Sequence, residues 1–121
     1  MAYDPISEIS DELLVISDET WRKLLDFKNG EKFTDLPGSI LGERKRLMEI
    51  LDQLVEKLQT DLTTNPTKLW VMQQFQNALV KVESEDTEAR ENFASHLEEI
   101  MDILGIESSD GLLNFYVNGF E

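Results

Sequence analysis

An uncharged run in the middle of the chain constrains the fold more than any other feature. Residues 69–80 read LWVMQQFQNALV and contain no charged side chain, although charged residues make up 30% of the sequence. At 100° per residue the apolar side chains of this run form one broad helical face, and so wide a face is usually enclosed by other elements. We assign to it Leu69, Met72, Phe75, Ala78, Leu79 and Val82, widened by Val71 and Val80. The sequence therefore predicts a central helix over residues 66–82.

The start of this central helix is marked by two residues. Asn65 is a suitable N-cap, and Pro66 would occupy the first helical position, where its missing N–H costs no hydrogen bond. The turn before it, residues 63–66, is short. The central helix and the preceding helix are therefore expected to be antiparallel neighbours.

Capping residues and apolar spacing predict four more helices, over residues 18–29, 39–62, 84–104 and 109–117, of which the third opens at Ser84 or Asp86. The predicted core rows are Leu47, Leu51, Leu54, Leu58 and Leu62 on the second of these helices, and Phe93, Leu97, Ile100 and Leu104 on the third, with Ala89 and Met101 at its margins. Gly30, Gly105 and Gly119 are each expected to end a helix in the left-handed conformation. Phe33 and Leu36 are expected to attach the loop after the first of these helices to the core. We predict an all-α fold, a single compact bundle of four to five helices. It would be one domain over residues 1–121, with residues 1–16 a candidate peripheral N-terminal segment.

The composition limits the classes of molecule that this protein is expected to bind. The net charge is −14, which argues against nucleic acid and against anionic membranes and favours a basic protein partner. There is no cysteine, and no apolar stretch approaches the ~20 residues of a membrane span. The first residues also lack the basic start and apolar run of a secretory signal. We expect a cytoplasmic protein.

The charge is unevenly distributed along the chain. Residues 21–46 contain seven basic and four acidic residues, whereas residues 83–121 contain eleven acidic residues and one basic residue, Arg90. One interpretation is that the two regions attract each other across the fold. A second feature is a row of acids on the solvent face of the helix over residues 84–104. This acidic stripe consists of Glu88, Glu91, Glu98 and Asp102.

The acidic stripe has two interpretations. It is either an ordinary solvated face or a docking surface for a cationic protein, since charge complementarity raises association rates. Trp70 also has two interpretations, because it points away from the Phe75 side of the central helix. It either packs under residues 13–16, which we favour, or anchors an interface, where tryptophan is enriched.

No catalytic, cofactor-binding or metal-binding residue can be assigned. His96 is the only histidine, and no serine or cysteine is placed to form a catalytic triad with it. The pair Glu49 and Asp52, together with the EExxD run at residues 98–102, resembles the acidic motifs of all-helical, Mg²⁺-dependent nucleotide pyrophosphohydrolases. Helical spacing places both sets on solvent faces, away from a shared interior. No cofactor is therefore expected.

A family resemblance lies near the C-terminus. Residues 98–120, EEIMDILGIESSDGLLNFYVNGF, resemble a family of small acidic helical bacterial proteins, mostly uncharacterised, some of which are similar to immunity-type neighbours of toxins. The resemblance implies a compact helical domain that neutralises a toxin by occlusion, and it brings no catalytic motif. A helical adaptor or regulator is the alternative function, and a Mg²⁺-dependent pyrophosphohydrolase is the third.

Overall fold

The computed structural model describes residues 3–34 and 42–118. Within these ranges the chain forms one short 3-10 helix and five α-helices and contains no β-strand, which confirms the predicted all-α fold. None of these helices combines the length and apolar character needed to cross a bilayer. The elements are a 3-10 helix at Pro5–Glu8 and the helices α1 at Asp18–Asn29, α2 at Glu43–Asp61, α3 at Lys68–Val82, α4 at Thr87–Leu104 and α5 at Leu112–Asn118.

Helix α3 occupies the centre of the bundle. It contacts α2, α4, α5 and the 3-10 helix, while α1 packs against α2 and α4. The neighbours present the apolar rows that their spacing predicted. On α2 and at its C-cap the buried leucines are Leu47, Leu51, Leu54, Leu58 and Leu62, and on α4 the buried row is Phe93, Leu97, Ile100 and Leu104.

The apolar face of α3 is confirmed in part. Phe75 is fully buried and Leu79 nearly so, as expected at the middle of an enclosed helix. The assignments of Leu69 and Val80 to this face are wrong: Leu69 is half-buried and Val80 is 50% exposed, because both lie on the side of α3 opposite Phe75. Trp70 is half-buried and packs against the core, and its position under residues 13–16 stays a prediction.

The predicted start of α3 is also wrong. The helix begins at Lys68, and Thr67 is its N-cap, accepting a hydrogen bond from the Trp70 backbone N–H at 3.3 Å. Asn65 serves the preceding helix instead, since its amide donates to the Asp61 carbonyl at the end of α2. Pro66 lies outside the helix.

The N-terminal segment completes the capping of α3. The carbonyl of Glu12 accepts from the Lys68 backbone N–H at 2.9 Å, and the carboxylate of Asp11 accepts from the Leu69 N–H at 2.8 Å. With Thr67, these groups satisfy the N–H donors of the first helical turn, and the Asp11 charge lies at the positive end of the helix dipole. Residues far apart in sequence thus fix where the central helix begins.

Helix α1 has the predicted bounds but ends differently. Ser17 and Thr20 form a reciprocal capping box at its start. Gly30 has a φ of −79°, so the predicted left-handed ending is wrong. The Lys32 ammonium group instead donates to the carbonyls of Lys28 and Gly30, each at 3.0 Å, and so neutralises the negative end of the helix.

Helix α4 confirms Asp86, the second of its two predicted starts, and the predicted end at Leu104. Asp86 caps its start by accepting from the Ala89 N–H at 2.9 Å. At its end Gly105 is left-handed, with a φ of 75°, and the Ile106 N–H donates to the Met101 carbonyl at 2.9 Å. This is the Schellman ending that the glycine predicted.

Helix α5 starts later than the predicted residue 109. Asp110 and Gly111 both have positive φ angles, 52° and 92°, which a right-handed helix excludes. The helix therefore begins at Leu112.

Helix α2 also starts later than the predicted position near residue 39: it begins at Glu43, after Gly42, whose φ of 87° excludes a right-handed helix there. The predictions for Leu36 and Gly119 lie outside the described residues.

Candidate protein-docking surface

The four residues of the acidic stripe are all exposed on α4, on the side away from its buried row. Within the described parts of the chain, none of these carboxylates lies within ion-pair distance of a basic group. Arg90, on the same helix, donates to the Thr87 hydroxyl at 3.2 Å rather than to the stripe. The stripe therefore faces solvent, and no basic group of residues 3–34 or 42–118 compensates its charge.

The ion pair that joins the basic and acidic regions of the chain involves an acid outside the stripe. Arg46 on α2 donates to both carboxylate oxygens of Glu85, at 3.0 and 3.3 Å, across the fold. The hydrogen bonds and the charge of Glu85 raise the pKa of Arg46. On α1, Arg22 and Lys23 pair with Glu19 of their own helix. These basic side chains therefore pair with acids other than the four of the stripe.

A groove of about 460 Å³ lies between α4 and α5, beside the middle of the stripe. Four nearly buried apolar residues form its floor, while acids, serines and asparagines form its rim. Floor residues are Ala94 and Met101 from α4 and Leu113 and Val117 from α5. Acidic rim residues are Glu91 and Glu98 from α4 and Glu107 from the connection to α5.

The structure therefore places the five predicted site residues in different regions of the surface. Glu91 and Glu98 line the α4–α5 groove, whereas Asp102 lines a different cleft, next to residues 12–15. Glu88 lies one turn before Glu91 on α4, beyond the lining of the groove. Trp70 belongs to α3 and is not part of the groove. The interface role of all five residues stays a prediction.

The groove floor had not been identified from sequence. Leu113 and Val117 come from α5, and Met101 belongs to the margin of the apolar row on α4. The signal that was available is the i, i+4 spacing of Leu113 and Val117, which places both on one face of α5. The sequence does not show that this face of α5 lines a groove along α4.

His96 holds a loop in place. Its Nε2 accepts a hydrogen bond from the Phe33 backbone N–H at 3.1 Å, so its proton lies on Nδ1, which is 3.2 Å from a Glu99 carboxylate oxygen. The Phe33 ring lies edge-on to the imidazole, with the ring centroids 4.7 Å apart. Phe33 is almost fully buried, as predicted, and has a φ of 61°. The geometry gives His96 a structural role.

Two lysines are buried, which the sequence pattern did not predict. Lys32 is 5% exposed; besides the carbonyls that it caps, it lies over the Phe27 ring, and burial lowers the pKa of Lys32. Lys68, also 5% exposed, pairs with Asp110 at 2.8 Å. Asp110 accepts in addition from the Ser10 N–H at 2.8 Å, and the Lys68 hydrogen bond is the largest cause that lowers the pKa of Asp110. Both lysines stabilise the fold from inside it.

The carboxylates considered for a metal do not converge. Glu49 and Asp52 belong to α2, and the acids at residues 98–102 belong to α4. Within the described residues, no three carboxylate or histidine side chains come together in an arrangement that could hold a metal ion.

Comparison with known proteins gives one result. Neither the curated proteins nor the solved structures contain a match to this chain. One protein family matches the chain from Val15 onward, a range that includes α1 to α5 and the whole of the groove. Residues 15–121 match DUF4844, a domain of unknown function, and the chain belongs to that family.

Proposed function

We propose that this protein is a non-enzymatic binding domain that docks a basic protein on the α4–α5 groove and its acidic rim. The observation that carries the proposal is the combination of an apolar floor with rim carboxylates that have no basic partner in the described parts of the chain. Protein interfaces usually combine an apolar centre with a polar, charged rim. Complementary charge would then select a cationic partner and accelerate its association.

The cost of the stripe to the fold supports a role in binding. Glu88 and Glu91 are three residues apart, and Glu98 and Asp102 are four apart, so each pair repels by a few tenths of a kcal/mol on the helix surface. Glu19, an exposed acid of α1, pairs with two basic residues of its own helix. Within the described residues the four stripe acids have no such ion pair. A cationic partner would supply the missing counter-charge.

The narrower form of the proposal is an immunity-type antitoxin that occludes a cognate toxin. Its support is positional. The stretch that carries the resemblance to immunity-type proteins, residues 98–120, provides most of the groove lining, including Met101, Glu107 and Val117. A helical adaptor is the alternative, and the two differ in whether binding abolishes an activity of the partner.

The test uses binding kinetics on a partner captured with the wild-type protein and then purified. Glu91→Lys/Glu98→Lys reverses the rim charge and should slow association, with the effect shrinking as salt screens the charges. Ser95→Trp places a bulky side chain at an exposed position of the groove lining and should accelerate dissociation. The matched control is Asp26→Lys/Glu49→Lys, which makes the same change in net charge at exposed positions of α1 and α2. Unchanged kinetics for both groove variants would refute the docking site.

A growth experiment separates antitoxin from adaptor. The captured partner is expressed alone and then together with this protein. An antitoxin restores growth that the partner alone arrests, and Ser95→Trp reduces the rescue. A partner that does not impair growth would refute the antitoxin form and leave the adaptor.

A further inference from the structure

A second surface involves the extended residues 12–16, which precede α1. Leu13 forms an isolated antiparallel β-bridge with Thr67. The Leu14 N–H donates to the Pro66 carbonyl at 2.7 Å, and the Glu12 carbonyl accepts from Lys68 at 2.9 Å. One edge of this segment is thus hydrogen-bonded to the chain that leads into α3.

The opposite edge of the segment is open. Backbone N–H and C=O groups alternate in direction along an extended chain, so those of Leu13 and Val15 point away from α3. Within residues 3–34 and 42–118, neither residue has a backbone hydrogen-bond partner. An unpaired edge of this kind is a template for another strand.

The side chains along this edge are apolar and exposed. Leu13 is 76% exposed and Val15 is 85% exposed, whereas Leu14 between them is 7% exposed. A cleft of about 370 Å³ separates the segment from the C-terminal end of α4, where Ile103 is half-buried. The cleft provides both space and apolar contact for an added chain.

The charges around the cleft decide which chain fits. Glu12 and Asp102 line it, and residues 1–20 contain six acidic residues and no basic one. A second copy of this segment would place like charges opposite each other, which destabilises paired strands. A basic strand would place its charges against acids.

We propose that residues 12–16 bind an extended segment of a partner protein as an added antiparallel β-strand. The incoming strand alternates, with apolar residues opposite Leu13 and Val15 and lysine or arginine opposite Glu12 and near Asp102. Main-chain hydrogen bonds provide affinity in this mode of recognition, and the alternating side chains provide specificity. This surface shares helix α4 with the α4–α5 groove but none of its lining residues, so either site can fail without the other.

The test uses a short synthetic peptide that alternates lysine and valine, observed by NMR on the ¹⁵N-labelled full chain. Binding should shift the Leu13 and Val15 amide signals and slow their hydrogen exchange about tenfold, with the already bonded Leu14 amide as reference. The same peptide N-methylated at alternate residues cannot pair with an edge and should not bind. A glutamate–valine peptide should not bind either, because the edge is acidic.

Variants of the protein distinguish backbone pairing at the edge from nonspecific binding. Val15→Pro removes the outward N–H and leaves the bonds of Glu12 and Leu14 intact, a change that edge positions tolerate. It should weaken binding about tenfold, whereas Val15→Thr, which keeps the N–H and the branched shape, should stay close to wild type. If Val15→Pro does not fold, the N-methylated peptide tests the backbone pairing, and Glu12→Lys, which reverses a charge beside the edge, should weaken binding of the lysine–valine peptide.

Three outcomes would overturn the proposal. The first is equal binding of the N-methylated and unmodified peptides. The second is no perturbation of the Leu13 and Val15 amides at any peptide concentration. The third is a wild-type dimer in sedimentation that Val15→Pro converts to monomer, since a second copy would then occupy the edge.

Discussion

Helices α3 and α4 are neighbours of similar length that bury comparable apolar faces, yet they differ in what lies on the rest of their surface. The N–H donors of the first turn of α3 are bonded by the N-terminal segment and Thr67, and the exposed middle of α3 carries the uncharged Gln73 and Asn77. Helix α4 carries instead an outer row of carboxylates without basic partners in the described chain. Packing and capping contacts thus account for most of α3, whereas they do not account for the exposed carboxylates of α4.

The largest expected effect is on the α3 side of this comparison. Phe75→Ala removes a fully buried ring at the centre of the bundle and should lower the free energy of unfolding by about 3–5 kcal/mol. Ser95→Ala, on the outer face of α4, is the control and should change it by less than about 0.5 kcal/mol. Both are measured by urea denaturation. A loss below about 1 kcal/mol for Phe75→Ala would contradict the central position of α3.

The next effect concerns the ion pair at the start of α3. Asp110→Asn keeps a residue that tolerates positive φ but leaves the buried Lys68 without its carboxylate, at a cost of about 2–3 kcal/mol. Since the Lys68 hydrogen bond lowers the Asp110 pKa below its ordinary 3.8, the stabilisation is complete above that pH. It disappears as the pH falls through the lower pKa of the folded state. Denaturation of both proteins at a series of pH values should show their difference shrinking only in strong acid.

A smaller effect is expected on the α4 side. Glu91→Lys/Glu98→Lys should leave the free energy of unfolding within about 0.5 kcal/mol of wild type or raise it slightly, because it relieves repulsion on an exposed face. The same comparison by urea denaturation measures it. A large loss would mean that the rim carboxylates support the fold, and the contrast between α3 and α4 would fail.

The smallest effect is expected from added Mg²⁺. Because the carboxylates of α2 and α4 do not converge in the described residues, saturating Mg²⁺ should not shift the melting temperature beyond the change caused by matched ionic strength. Calorimetry and a nucleoside triphosphate hydrolysis assay complete the measurement. Tight Mg²⁺ binding with pyrophosphate release would favour the hydrolase interpretation over docking.

The sequence predicted those features that depend on residues close together in the chain. The leucine row of α2, the Asp86 cap and the Gly105 ending of α4 each arise within a few positions, so spacing and capping rules suffice. The start of α3 was wrong because Asn65 has two nearby helices to serve, and the choice depends on Glu12, more than fifty positions away.

The candidate site was predictable only in part. The exposure of the acidic stripe follows from helical spacing and was correct. The groove beside Glu91 and Glu98 depends on how α5 packs against α4, and the open edge at Leu13 depends on pairing with Thr67. Both are tertiary contacts between separate parts of the chain, which local patterns do not encode.

The Asp110 carboxylate also has a consequence for the order of folding. It joins Ser10 to Lys68 and to its own loop, so one side chain closes a contact between residues 100 positions apart. Such a contact forms only after the intervening helices have been brought together, since closing a long loop costs entropy before it is rewarded. We therefore expect Asp110→Asn to accelerate unfolding in stopped-flow experiments while leaving the refolding rate nearly unchanged. The lifetime of the native state, more than the speed of reaching it, then depends on this single carboxylate.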